Sequence, residues 1–294
     1  MLAVSTFPPF QLHIEVWLLM AAVAGLGIYV ARVIQPKAVA AGHPPISRRQ
    51  KCWFWSAWAL LWIFTDFPIH DVAELRLYSV HMIQHAMLTV VIPPMMLLAI
   101  PTWLARLVLG DGLLDRFVRF WSRPIPAIIV YNFLIAISHW AFVVNGSVDS
   151  APLHYTLHAL LVMASFLVFM SICGPLPELQ SNPPMKMVTL FLVSIIPTIP
   201  AAFLTVAETV LYSAYDQPVR LWGFDVVRDQ QLAGVIMKVI TGFYLWGIIA
   251  VIFFKWSMSG DERKKFRGKL VNADGEIVER SADEGSEKPT PVAH

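Results

Sequence analysis

LYSVHMIQHAMLTVVIPPMMLLAIP, residues 77–101, is apolar for longer than the about 20 residues a helix needs to cross a bilayer and contains no Lys, Arg, Asp or Glu. It nevertheless places His81 and His85 four residues apart near its start. On a helix, positions i and i+4 lie one above the other, so both imidazoles can reach a single point such as a metal ion. The spacing returns at His154 and His158, at the start of another apolar run, and His139 stands near the end of the run between them.

With 57% hydrophobic and 14% charged residues and a mean hydropathy of +0.61, the 294-residue chain is too apolar for an ordinary soluble domain. The expected fold is an all-α integral membrane protein. Apolar runs at 14–33, 53–69, 78–100, 124–144, 153–173, 186–207 and 232–256 predict a seven-transmembrane-helix bundle over 1–258. Residues 259–294 are polar and charged, and are expected to form a disordered cytoplasmic tail. No Lys or Arg precedes the first run, so it reads as a retained span rather than a cleaved signal.

Lys and Arg set the expected orientation. They gather after the first run (Arg32, Lys37, Arg48, Arg49, Lys51), after the third (Arg106, Arg116, Arg119, Arg123) and at the end of the seventh and beyond it (Lys255, Arg263, Lys264, Lys265, Arg267, Lys269). These segments should face the cytoplasm, with the N-terminus outside. All five intramembrane histidines then fall at a similar depth on the outer side, and His13 and His70 also lie outside. The net charge of +2 gives no argument for a nucleic-acid partner; the partner of such a surface is the lipid bilayer. Two cysteines, Cys52 and Cys173, make no disulfide framework.

Neutral imidazole suits copper, zinc, iron and haem iron. His81, His85, His139, His154 and His158 are therefore candidate metal ligands, with Gln84 and Asp229 as candidates to orient the rings from behind. The alternative is that they hydrogen-bond between helices and hold the bundle together. Two i,i+4 pairs and a fifth histidine at matching depth favour metal or haem. Pro93 and Pro94 should kink or break their helix, and Trp53, Trp55, Trp58 and Trp62 are expected as interface anchors and lipid-facing bulk.

Five stretches carry a family resemblance: AELRLYSVHMIQHAMLTVVIPPMMLLAIP at 73–101, NFLIAISHW at 132–140, LHYTLHALLVMASFL at 153–167, LYSAY at 211–215 and WGFDVVRDQQLAGVIM at 222–237. Together they resemble the CtaG-type assembly factors of caa-type cytochrome c oxidase, multi-span proteins of the bacterial inner membrane. The resemblance covers most of 50–256 and matches the family's recurring histidines at all five positions and its polar seventh-span start at Asp229. Glu208, followed by Thr209 and Val210, departs from the expected pattern and receives no role.

The resemblance implies a non-enzymatic role in maturing haem–copper oxidase by handling the copper beside the high-spin haem. Oxidase subunits would be the partners, with a periplasmic copper donor as a further one. Two rivals remain open at this point: a bis-histidine haem protein of electron transfer, and a copper permease using Met95, Met96 and Cys173 below the histidine layer.

Overall fold

A backbone in lipid must satisfy its own N–H and C=O groups, and each apolar run closes into helix accordingly. The computed structural model describes residues 7–218 and 220–269. Among them the chain is helical with no strand. Helix α1 (Ile14–Ala40) is followed by α2 (Arg48–Thr65), the short α3 (Ile69–Leu75) and α4 (Tyr78–Ala99). Then come α5 (Thr102–Leu109), α6 (Leu113–Trp121), α7 (Pro124–Ser138), α8 (Ala141–Asp149) and α9 (Ala151–Cys173). The last three are α10 (Pro183–Ile195), α11 (Thr198–Val206) and α12 (Val226–Lys269).

Five segments are long and apolar enough to cross a membrane: α1, α4, α9, α10 with α11, and α12; a sixth follows if α6 and α7, bent by 81°, form one span. The chain is thus a multi-pass membrane protein. The run at 53–69 falls on α2, whose first turn holds Arg48, Arg49 and Lys51 and dilutes its apolar character below a full span. The boundary expected at 258 falls inside α12, which continues to Lys269; the rest of the expected tail lies outside the described residues.

Pro93 and Pro94 kink nothing apart. A proline lacks the N–H for the i−4 carbonyl and crowds it, and the helix absorbs both with a π-helical turn at Met87–Val91 just before them. The same device, at Val30–Ile34, precedes Pro36 in α1. The continuous α4 is the central helix: α2, α3, α9 and α12 all pack on it. Helix α1 lies at the edge of the bundle, seated mainly on α2. There Gly27 lets the Phe54 ring approach to where a Cβ would stand, Trp58 Nε1 donates to the Met20 carbonyl at 3.0 Å, and Trp17 meets Trp62 edge to face. Trp58 and Trp62 are therefore seam residues between helices, while Trp55 is exposed as expected.

The two ends of the bundle differ. At one, Arg106 and Arg119 share Glu178, and Thr102 and Trp103 donate to the Pro175 and Pro44 carbonyls. At the other, the N-terminal turns of α4 and α9 and the whole of α3 bring the histidines together. Between them lies a closed apolar core of Val90, Leu97, Ile135, Leu161, Val168, Leu190 and Leu245.

Candidate metal centre

Helix periodicity stacks His81 under His85 on α4 and His154 under His158 on α9, and the packing of these two helices turns the pairs toward each other. The ring centroids of His81 and His85 are 4.6 Å apart, those of His85 and His158 4.5 Å, and those of His154 and His158 4.4 Å. One ligand nitrogen from each of His81, His85 and His158 lies within 4.8 Å of the other two. Nitrogens sharing a tetrahedral ion at about 2.0–2.1 Å stand roughly 3.3 Å apart, so the three would have to draw closer to share one.

Five histidines line one cavity together with Tyr78, Tyr215, Ser138 and Ser147. The cavity is about 20 Å³, room for one ion or one water molecule. Nδ1 of His81 and Nε2 of His158 are buried there without a hydrogen-bond partner. Buried polar atoms are nearly always paired, and an orphan in a native site calls for an occupant such as an ion. Neutral imidazole nitrogens fit one.

The remaining two histidines sit differently. His139, at the C-terminus of α7, donates its Nδ1 proton to the Ile135 carbonyl at 2.7 Å, which leaves Nε2 as the lone-pair nitrogen; its ring is 5.9 Å from that of His85. His154 stands next to His158 but shares its close ligand group with His70 and Glu74 rather than with His81 and His85.

The two residues expected to orient the imidazoles do something else. Gln84 donates to the Phe64 carbonyl at 2.7 Å, fastening α4 to the last turn of α2. Asp229, fully buried, accepts from the backbone N–H of Tyr78 at 2.7 Å and of Ser79 at 3.1 Å, and from the Ser79 hydroxyl. It caps the helix that carries His81 and His85. A sequence shows that a carboxylate is near an imidazole layer, but not that unsatisfied amides lie closer.

A segment between α11 and α12 covers the cavity. Gln230, fully buried, accepts from the N–H groups of Leu211 and Tyr212 and donates to the Tyr212 carbonyl; Gln231 donates to the carbonyl of Ala207. Asn145 accepts from the Ala214 N–H, and Arg220 donates to the carbonyls of Tyr215 and Phe224. So held, Tyr212 and Tyr215 meet Tyr78 edge to face at 4.8 and 4.9 Å, and the Tyr212 hydroxyl donates to the His139 carbonyl at 2.8 Å. Burial pushes the Tyr212 hydroxyl up to about 12, which keeps it a neutral donor.

Sequence reasoning passed over two groups that share His70. His13, His70 and Asp71 offer ligand atoms within 4.8 Å of one another, and His70, Glu74 and His154 do likewise. The signal was the string IHDVAE at 69–74, which places a histidine and a carboxylate at i,i+4.

Comparison with protein families finds the family described as cytochrome c oxidase caa3 assembly factor, matched over residues 27–259, most of the chain. Comparison with curated proteins and with solved structures gives no match.

Proposed function

The chain belongs to the cytochrome c oxidase caa3 assembly factor family, and on that premise we propose that it handles copper destined for the oxidase. A single ion would be held by His81, His85 and His158 and released by ligand exchange to an oxidase subunit. The observation that carries this reading is the pair of orphaned nitrogens, His81 Nδ1 and His158 Nε2, on two helices whose histidines line one small cavity.

The donor set argues for the cargo's charge. Neutral imidazoles in an apolar interior do not offset an ion's charge, and the desolvation penalty rises steeply with that charge, so Cu(I) is favoured over a divalent ion. Three ligands leave a position open for an incoming group, and His154, its ring 4.4 Å from that of His158, is a neighbouring ligand on the ion's path. The tyrosine wall of Tyr78 and Tyr215 keeps water from competing for the ion.

The distribution of Lys and Arg supports a seven-span arrangement in which α2 and α7 also cross, with the histidine end outside the cytoplasm and the C-terminus inside. That places the site on the side where a periplasmic copper donor would meet it. A macrocycle needs a slot far larger than about 20 Å³, which weighs against haem. The core beneath the histidines is mostly apolar, with scattered sulfur groups such as Met170 and Cys173 in place of a continued histidine layer, which weighs against a permease.

The test is copper stoichiometry on the purified protein with its absorption spectrum. One high-affinity ion bound at this site, lost in the His81→Ala/His85→Ala double variant, and no Soret band is the expected result. Unchanged stoichiometry in that variant removes the reading.

A further inference from the structure

Outside the cavity, two segments distant in sequence converge on a second set of ligands. His13 precedes α1, and His70 and Asp71 open α3; all three are buried, at 8%, 6% and 2% exposure. His13 Nε2 lies 2.7 Å from Asp71 Oδ1, and its ring stands 4.7 Å from that of His70. Asp71 Oδ2 is buried without any hydrogen-bond partner. A buried carboxylate oxygen left unpaired is costly and points to a cation.

His70 has a further peculiarity. Its Nδ1 faces Asp71 Oδ1 and its Nε2 faces Glu74 Oε2, each at 3.4 Å. A neutral imidazole carries one proton and can donate to only one of the two. Both contacts are longer than a good hydrogen bond, so the ring is not locked to either. With the ring neutral, the other nitrogen's lone pair would face a carboxylate, an arrangement that a metal ion between them would convert from repulsion into shared coordination.

The groups form a line. His70 belongs both to the set with His13 and Asp71 and to the set with Glu74 and His154, and His154 stands beside His158. Glu15 closes the line over the top, 3.5 Å from His13 Nδ1 and accepting from the Tyr155 hydroxyl on α9. We infer that His13, His70 and Asp71 form a second copper site, which receives the ion first and passes it through Glu74 and His154 to His81, His85 and His158. The inference rests on the copper reading of the inner cavity. Each step exchanges one ligand for another with the ion's oxidation state unchanged, and the carboxylates supply the charge that the inner imidazoles lack, which suits capture from water.

The experiment uses the full chain in detergent with Cu(I) delivered from a chromogenic chelator under reducing conditions. Wild-type protein should bind two ions. Asp71→Asn, which keeps the shape and a hydrogen bond to His13 but removes the charge, should bind one, and the inner site should fill about tenfold more slowly at unchanged affinity. Glu74→Gln should retain both ions and slow only the passage between them. His81→Ala/His85→Ala should keep the outer ion alone. If Asp71→Asn matches wild type in stoichiometry and loading rate, the outer site is a structural ion pair and the inference falls while the inner site stands. If the His81→Ala/His85→Ala variant loses nothing, the inner reading itself has failed.

Discussion

The carboxylate of Asp229 accepts the backbone N–H of Tyr78 at 2.7 Å, across 151 positions of sequence. Helix α4 begins at Tyr78 after Leu77, which has no side chain able to cap. The first amides of a helix have no partner within it, and in a bundle interior they find no water. Asp229 supplies both the acceptor and a negative charge at the positive end of the helix. It also fixes the rotation and height of α4 against α12, and with them the position of His81 one turn further on.

Replacing Asp229 by Ala should therefore cost stability and metal affinity together. Two buried N–H groups and a hydroxyl lose a charged acceptor, worth about 2–3 kcal/mol, and copper binding should weaken about tenfold to a hundredfold as the ligand helix drifts. Asn, able to accept through one oxygen only, should fall between. Thermal unfolding and chelator competition on the same samples check this; an Ala variant that melts and binds like wild type shows the cap to be dispensable.

His158 and His139 both line the cavity, but the geometry separates them. His158 offers one ring nitrogen within 4.8 Å of those of His81 and His85 and has an unpaired buried Nε2, whereas His139 spends one nitrogen on Ile135 and stands 5.9 Å from His85. His158→Ala should weaken copper binding by about a hundredfold or more, on the order of 3 kcal/mol, and His139→Ala by less than about tenfold. Chelator competition ranks them; equal losses would make His139 a ligand on the same footing.

Gln230 holds the segment over the cavity by its backbone, and Gln230→Leu leaves the N–H groups of Leu211 and Tyr212 without that acceptor, while the Tyr212 carbonyl keeps the Tyr215 N–H. Each N–H so left costs about 1–3 kcal/mol, enough to open the segment locally rather than unfold the bundle. Hydrogen exchange at Leu211 and Tyr212 should accelerate at least about tenfold, with amides in α9 unaffected. Uniform acceleration along the whole chain would instead mean global destabilisation.

Much of this architecture could be read from the chain itself, and what could not follows a pattern. Helices at the apolar runs follow from local periodicity, and the convergence of His81, His85 and His158 follows from spacing plus a shared depth. The prolines at 93 and 94 gave the position of an irregularity but not its form, because a π-helical turn depends on whether neighbours hold the helix together. Contacts that join distant segments were out of reach. His13 meets Asp71 across 58 positions, and no periodicity links them. Asp229, Gln230 and Gln231 stood out as a family string, yet their work is to cap α4 and to pin the covering segment. Polar residues beside a metal layer advertise themselves equally whether they face ligands or amides.

Gly234 lies in the same stretch, and there the reason for the residue is contact rather than conformation. A Cβ at this position would lie 2.5 Å from Thr205 Oγ1, 2.6 Å from the Ala201 carbonyl and 2.9 Å from the Thr205 amide nitrogen. Two of those atoms are backbone, so no rotamer change relieves them, and α11 and α12 must separate. Close approach through small residues is how membrane helices gain dispersion energy in the absence of a hydrophobic drive. Gly234→Ala should thus destabilise by about 1–3 kcal/mol through overpacking, in spite of alanine's better helix propensity. Gly25 in α1 and Gly247 in α12 meet nothing within 4 Å, and the same substitution there should be neutral or stabilise by up to about 1 kcal/mol. Thermal unfolding of the three variants side by side separates the two effects. Should Gly234→Ala melt with the other two, the seam between α11 and α12 is looser than these distances, and the segment those helices hold over the histidines is correspondingly free to move.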